Sequence, residues 1–119
     1  MKKTLKLKKN YEFNTTFKKG KYFCGDFIEC FHIKKNKSIN YFGIAISSKL
    51  CNAVKRNRIK RVIRESYRNI ESNINTGNTF VFLWKKNVDI SNCNYKNVFN
   101  DMKKIFKKMD IYLDEKNND

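Results

Sequence analysis

The chain has 119 residues, and its 27 Lys and Arg against 11 Asp and Glu give a net charge of +16. That length supports one core and one domain, and the charge asks for a polyanionic partner, most commonly nucleic acid; a basic surface that is merely solvated is the plainer alternative. No apolar run approaches the ~20 residues of a membrane span, and no apolar segment of signal-peptide length follows the charged Met1–Lys9, so a cytoplasmic protein is expected.

Cys24, Cys30, Cys51 and Cys93 form no C-x-x-C pair, and His32 is the only histidine. A zinc site is therefore not expected, and the cysteines read as reduced structural thiols.

In chain order, Asn10 is placed to cap a short helix over Tyr11–Lys19, with Gly20 as its stop. Phe13 and Phe17, four residues apart, share one face of it. Tyr22–Lys34 is rich in aromatic and β-branched residues and reads as one strand, or as a short strand followed by a longer one. A polar turn at Lys34–Ser38 leads to a buried strand over Asn40–Ser47.

The central helix carries Ile59, Val62, Ile63, Tyr67, Ile70 and Ile74 at three- and four-residue spacing, a core-facing stripe. All five arginines of the chain (Arg56, Arg58, Arg61, Arg64 and Arg68) lie in this one stretch, while every other basic residue is lysine. At ~100° per residue, Arg61, Arg64 and Arg68 project away from the stripe, with Asn57 one turn earlier on the same line. A guanidinium grips phosphate through two parallel hydrogen bonds and stacks on bases, whereas an ammonium is a point charge. The window therefore reads as a phosphate-recognition rail, though exposed charge is also the ordinary fate of a surface helix. Asn57 is expected to cap the helix, though it could equally bond its own backbone.

Gly77 breaks the chain before a strand over Thr79–Lys86. A last amphipathic helix spans Asn94–Met109, with Val98, Met102, Ile105, Phe106 and Met109 on its buried side. The basic arm 1–9 and the tail 114–119 are expected to be flexible around a single nucleic-acid-binding domain, 1–119. The whole reads as α+β: a two-layer sandwich of helices on one mainly antiparallel sheet, in the order α-β-(β)-β-α-β-α. The general rule would make its crossover right-handed.

The run Ser47-Ser48-Lys49-Leu50-Cys51-Asn52-Ala53-Val54-Lys55-Arg56-Asn57-Arg58-Ile59-Lys60-Arg61-Val62-Ile63-Arg64-Glu65 resembles the signature of the bacterial ribonuclease P protein component, roughly S-K-K-x-G-N-A-V-x-R-N-R-x-K-R-x-[IL]-R-E. Leu7–Phe13, followed by Phe17 and Gly20, resembles that family's opening helix, so the likeness covers nearly the whole chain.

The resemblance implies a small basic subunit bound to a larger catalytic RNA. Together they would remove the 5′ leader of precursor tRNA by hydrolysing one phosphodiester bond. The Mg²⁺ would be held by the RNA and substrate, with no protein cage, no membrane and no protein partner required. It assigns Asn52, Arg56, Asn57, Arg58, Lys60, Arg61, Arg64 and Arg68 to the catalytic RNA. Phe13, Phe17, Ser47, Lys49 and Lys85 would form a leader-binding cleft between the first helix and the sheet. It also implies a left-handed crossover, against the general rule.

Single strands are held by stacking and basic grooves, which suits a leader of variable sequence. By spacing alone, Phe13 and Phe17 read more readily as core residues than as stacking platforms, and the resemblance brings the two readings level. Three departures stand out: Cys51 replaces the family's usual glycine, Ser48 a second lysine, and Lys85-Lys86-Asn87 an arginine followed shortly by proline.

The polypeptide shows no catalytic constellation. A protein nuclease needs a general base and acid, or a carboxylate cluster for metal. Here the acids are scattered, and Glu65, four residues after Arg61, reads as its intrahelical ion partner. His32, alone in a strand, reads as structural or exposed. Two competing classes are an RNA-binding module with no enzyme attached, and a basic protein coating DNA or a membrane surface. The ordered Asn52-Ala53-Val54 run argues against both, because electrostatics alone does not require it.

Overall fold

A computed structural model of the chain describes residues 3–113. It contains β1 (Thr4–Lys6), α1 (Asn10–Lys19), β2 (Lys21–Cys24), β3 (Ile28–Lys34), β4 (Asn40–Ile44), α2 (Ala53–Ile70), β5 (Asn78–Trp84) and α3 (Tyr95–Lys108). The strands form one sheet in the order β1-β4-β5-β3-β2. β1 with β4 and β4 with β5 are parallel, while β5 with β3 and β3 with β2 are antiparallel. The longest ladder, Ile28–Lys34 against Asn78–Trp84, is antiparallel. The α+β class stands, with α2 crossing between two adjacent parallel strands.

The layering is richer than a two-layer sandwich. Successive residues of a strand face opposite sides of a sheet. Phe42 stacks on Tyr67 of α2, centroids 4.4 Å apart, whereas a Cβ on its neighbour Gly43 would meet Phe13 of α1. So α2 and α3 cover one face and α1 the other. The core lies on the α2/α3 side, where Ile59, Ile63, Tyr67, Val98, Met102, Ile105 and Phe106 are buried against Ile28, Phe80 and Phe82. Each such side chain contributes about 1.5–3 kcal/mol of transfer free energy.

Several local expectations change. The arm 1–9 is not wholly flexible, since Thr4–Lys6 pairs with Asn40–Phe42. Buried Thr4 shares a 2.6 Å hydrogen bond with the Tyr67 hydroxyl and donates to the Glu71 carboxylate. The tail 114–119 lies outside the described residues. Helix α1 begins one residue earlier than expected, with Lys9 at the N-cap position. There Glu12 accepts from the Lys8 and Lys9 amides, so the first turn is closed by the carboxylate and not by Asn10. Ile74 is buried as expected but beyond the end of α2, bridged to Tyr112.

The β2–β3 turn is organised from far along the chain. Asp101 of α3, 1% exposed, accepts backbone N–H bonds from Asp26, Phe27 and Ile28 at 2.6, 2.9 and 2.9 Å. Gly25 is required beside it, because a Cβ there would lie 2.1 Å from the Asp101 carboxylate. His32 is structural: it is buried and 2.8 Å from Asn78 Oδ1. Asn40 Oδ1 in turn accepts from the Asn78 backbone and side-chain amides.

Candidate RNA interface

The arginine rail begins with a cap. Asn52 Oδ1 accepts from the Lys55 amide at 2.9 Å, which makes Asn52, and not Asn57, the N-cap of α2. Asn57 is exposed on the helix, with no capping role. The first turn contains no acidic residue, so the positive end of the helix dipole adds to the arginines around it.

The five arginines divide by partner. Arg56 turns back to donate to the Cys51 carbonyl at 2.8 Å, tying the turn before the helix to its first coil. Arg58 donates to the Cys93 carbonyl at 3.3 Å and joins α2 to the segment before α3. Burial pushes the Cys93 thiol pKa up, opposed by the Arg58 charge. Arg68 pairs with Glu65 at 2.9 Å. Glu65 therefore pairs with Arg68 and not with Arg61, as suits a glutamate placed N-terminal to its cation. The Arg61 and Arg64 side chains make no hydrogen bond or ion pair among the described residues, and Arg61 is exposed. These two guanidinium groups are open to phosphate.

Two hollows connect the rail to α1. One is a small recess lined by Lys6, Leu7, Phe13, Phe42, Gly43, Ile44, Lys60 and Arg64. The other is an open groove of about 460 Å³ lined by Asn10, Phe13, Asn14, Phe17, Ile44 and Ala45. Phe13 lines both, so the basic rail and the aromatic pair form one continuous surface.

Both phenylalanines are half-buried and double as anchors of α1. Phe17 meets Phe31 edge-on at 5.3 Å, and Phe13 sits over Gly43, where a Cβ would come within 2.7 Å of its ring. Core packing and a free groove-facing edge are thus compatible at these positions.

Of the remaining expected cleft residues, Ser47 and Lys49 are exposed in the turn after β4, and the Lys49 amide donates to Ser47 Oγ. Lys85 does not line the groove; its ammonium donates to the Gly25 carbonyl at 3.1 Å. Ile44 and Ala45 were not expected as groove walls. Their only sequence signal is a place in the strand expected over Asn40–Ser47, of which β4 keeps Ile44 but not Ala45. Among the described residues, no three His, Cys, Asp or Glu side chains cluster to hold a metal ion, and no helix is long and apolar enough to cross a membrane.

Residues 1–110 match the family model described as Ribonuclease P. The chain belongs to the ribonuclease P protein family. The ribonuclease P protein component of Listeria monocytogenes serotype 4a is 39% identical over 87 residues, covering 72% of this chain and 73% of that protein. The component from a Thermoanaerobacter species is 30% identical over 110 residues, covering 92% and 93%. The structure of the Staphylococcus aureus RNase P protein superposes with a TM-score of 0.74 at 28% identity, over 90% of this chain and 96% of that one. As a ribonuclease P protein component, the chain is the polypeptide part of an endoribonuclease whose partner is the ribonuclease P RNA, and it serves tRNA 5′ processing.

Proposed function

We propose that the α2 rail docks on the catalytic RNA while the Phe13–Phe17 groove receives the 5′ leader of precursor tRNA. The observation that carries this reading is the continuity between them: Phe13 lines both the aromatic groove and the recess containing Lys60 and Arg64. One RNA surface held on the rail therefore has a sequence-tolerant stacking groove beside it for a single strand. Arg61 and Arg64 supply the phosphate contacts. Arg56, Arg58 and Asn52 act by fixing the turn and helix from which those contacts are made. Lys49 and Ser47 extend the basic mouth of the groove.

Cleavage on this reading depends on Mg²⁺ held by RNA and substrate. The polypeptide contributes by positioning: its contacts to the leader hold the scissile region against the RNA and lower the entropic cost of alignment. The protein is assigned to the cytoplasm, where precursor tRNA is processed.

The test is cleavage of a leader-bearing precursor tRNA by the cognate ribonuclease P RNA at low Mg²⁺. Wild type should restore cleavage, Arg61→Ala/Arg64→Ala should not, and Phe13→Leu/Phe17→Leu should lose the preference for precursor over mature tRNA. Equal binding of precursor and mature tRNA by the wild-type holoenzyme would remove the leader from this account.

A further inference from the structure

A second cleft lies on the other flank of α1, toward the β3–β4 loop. Its floor crosses three adjacent strands, because Tyr41 and Ile33 both pair with Thr79 in the ladder. Leu7, Tyr11, Glu12, Thr15 and Thr16 form the wall, and Lys35 and Lys37 the rim, around about 270 Å³. Phe13 and Phe17 do not line it.

Three observations mark it as a built site. Thr79 is 3% exposed, and its hydroxyl is the one buried side-chain polar atom without a hydrogen-bond partner among the described residues. A buried hydroxyl left unpaired is costly, and a ligand in the cleft would satisfy it. The rim is held in place: the Lys35 amide donates to the Gly77 carbonyl at 2.6 Å. Gly77, at φ +90°, is needed there because a Cβ would lie 2.4 Å from the Lys35 carbonyl. Finally, cations and aromatic faces meet at the mouth, with Lys37 Nζ 5.8 Å from the Tyr41 ring and Lys9 Nζ 5.9 Å from the 64%-exposed Tyr11 ring.

We propose that this cleft takes one unstacked ribonucleotide, its base against Tyr41 and Tyr11, an edge of the base on Thr79 Oγ1, and its phosphate on Lys35 and Lys37. A hydroxyl both donates and accepts, so Thr79 tolerates any base, and tyrosine faces stack without regard to sequence. Glu12, the one carboxylate in the lining, accepts from the Lys8 and Lys9 amides, which hold its pKa below the ordinary carboxylate value and keep it ionised. The phosphate is therefore placed at the Lys35 and Lys37 rim, where two cations offset that one negative charge. The site is separate from the Phe13–Phe17 groove, so a strand held in both would wrap α1.

The experiment begins with amide-resolved NMR titration of the full chain with AMP and with adenosine. Shifts should concentrate on Tyr11, Thr15, Lys37, Tyr41 and Thr79, with AMP binding more tightly than adenosine. Thr79→Val keeps the shape and β-propensity while removing the orphaned hydroxyl. It should leave the thermal midpoint unchanged or higher yet weaken AMP about three- to tenfold, the range for one hydrogen bond. Lys37→Ala, on an exposed loop, should abolish the preference of AMP over adenosine.

The source of the nucleotide is then read by crosslinking 4-thiouridine, placed either in the leader or in the ribonuclease P RNA, within the assembled holoenzyme. Adducts on Tyr11 or Tyr41 from the leader make this a substrate contact; adducts from the catalytic RNA make it an assembly contact. The proposal is overturned if AMP shifts fall on the arginine rail or spread over all lysines, if Thr79→Val binds AMP like wild type, or if neither RNA gives adducts there.

Discussion

Phe13 of α1 rests on the bare backbone of Gly43 in β4, with room for no further atom between them: a Cβ at position 43 would stand 2.7 Å from Phe13 Cε1 and 2.8 Å from Cζ. The contact fixes both the depth at which α1 sits on the sheet and the shared wall of the two hollows. Gly43→Ala should therefore lift Phe13 and cost about 1–3 kcal/mol, the usual range for overpacking. A lower urea midpoint with weakened precursor binding is expected; an unchanged midpoint would mean that Phe13 can slide without consequence.

The rail should separate into docking and scaffolding arginines. Arg61→Ala and Arg64→Ala remove guanidinium groups with no partner among the described residues, so thermal stability should hold. The slope of log K against log salt for RNA binding should fall by about one unit for each. Arg56→Ala, which loses the 2.8 Å bond to the Cys51 carbonyl, should lower the thermal midpoint as well. Thermal melts beside salt titrations separate the two outcomes.

Removal of the Asp101 carboxylate leaves three buried or half-buried amides of the β2–β3 turn without their acceptor. Hydrogen bonds to a charged group contribute about 1.5–3 kcal/mol each and are not additive, so Asp101→Ala should destabilise by about 3 kcal/mol or more. Hydrogen exchange should show the Phe27 and Ile28 amides losing protection first.

His32 gives the fold a dependence on pH. Burial lowers its pKa below the ordinary 6.5, the Asn78 hydrogen bond partly opposes this, and the Lys34 charge adds to the lowering. The unfolded chain therefore takes up a proton at a pH where the folded chain does not, and stability falls with pH below 6.5. It is fully present above that value, and the loss ends once pH has passed below the folded pKa. The slope cannot exceed about 1.4 kcal/mol per pH unit for one proton. Urea melts between pH 7 and 5 should show this decline in wild type and a flatter profile in His32→Gln.

Much of the architecture was legible because periodicity reports burial. Ile59, Ile63, Tyr67 and Ile70 of the first stripe and Val98, Met102, Ile105 and Phe106 of the second are buried as spaced, while Val62 and Met109, expected with them, are only half-buried. What sequence could not supply was which element each face meets. Phe42 and Gly43 alternate across β4, yet nothing local assigns one to α2 and the other to α1. Strand β1 was hidden because three residues carry little pattern, and its Leu5 is 53% exposed; its anchor is a hydroxyl contact to residues more than sixty positions away. The arginine window was visible as a window. Its division into free and engaged members was not, because Arg56 and Arg58 find backbone carbonyls that depend on the path of the chain. Thr79 gave no signal at all, since a threonine in a strand is unremarkable until its hydroxyl lacks a partner.

The joint between Thr4, Tyr67 and Glu71 sets an order of events during synthesis. Residues 3–7 leave the ribosome well before the groups that hold the strand they form, which are made more than sixty residues later. The opening strand therefore has no buried anchor until Tyr67 and Glu71 have been made, and the recess that Lys6 and Leu7 line with Lys60 and Arg64 needs both ends of that stretch of chain. A nascent chain halted before Tyr67 carries the aromatic helix without that wall.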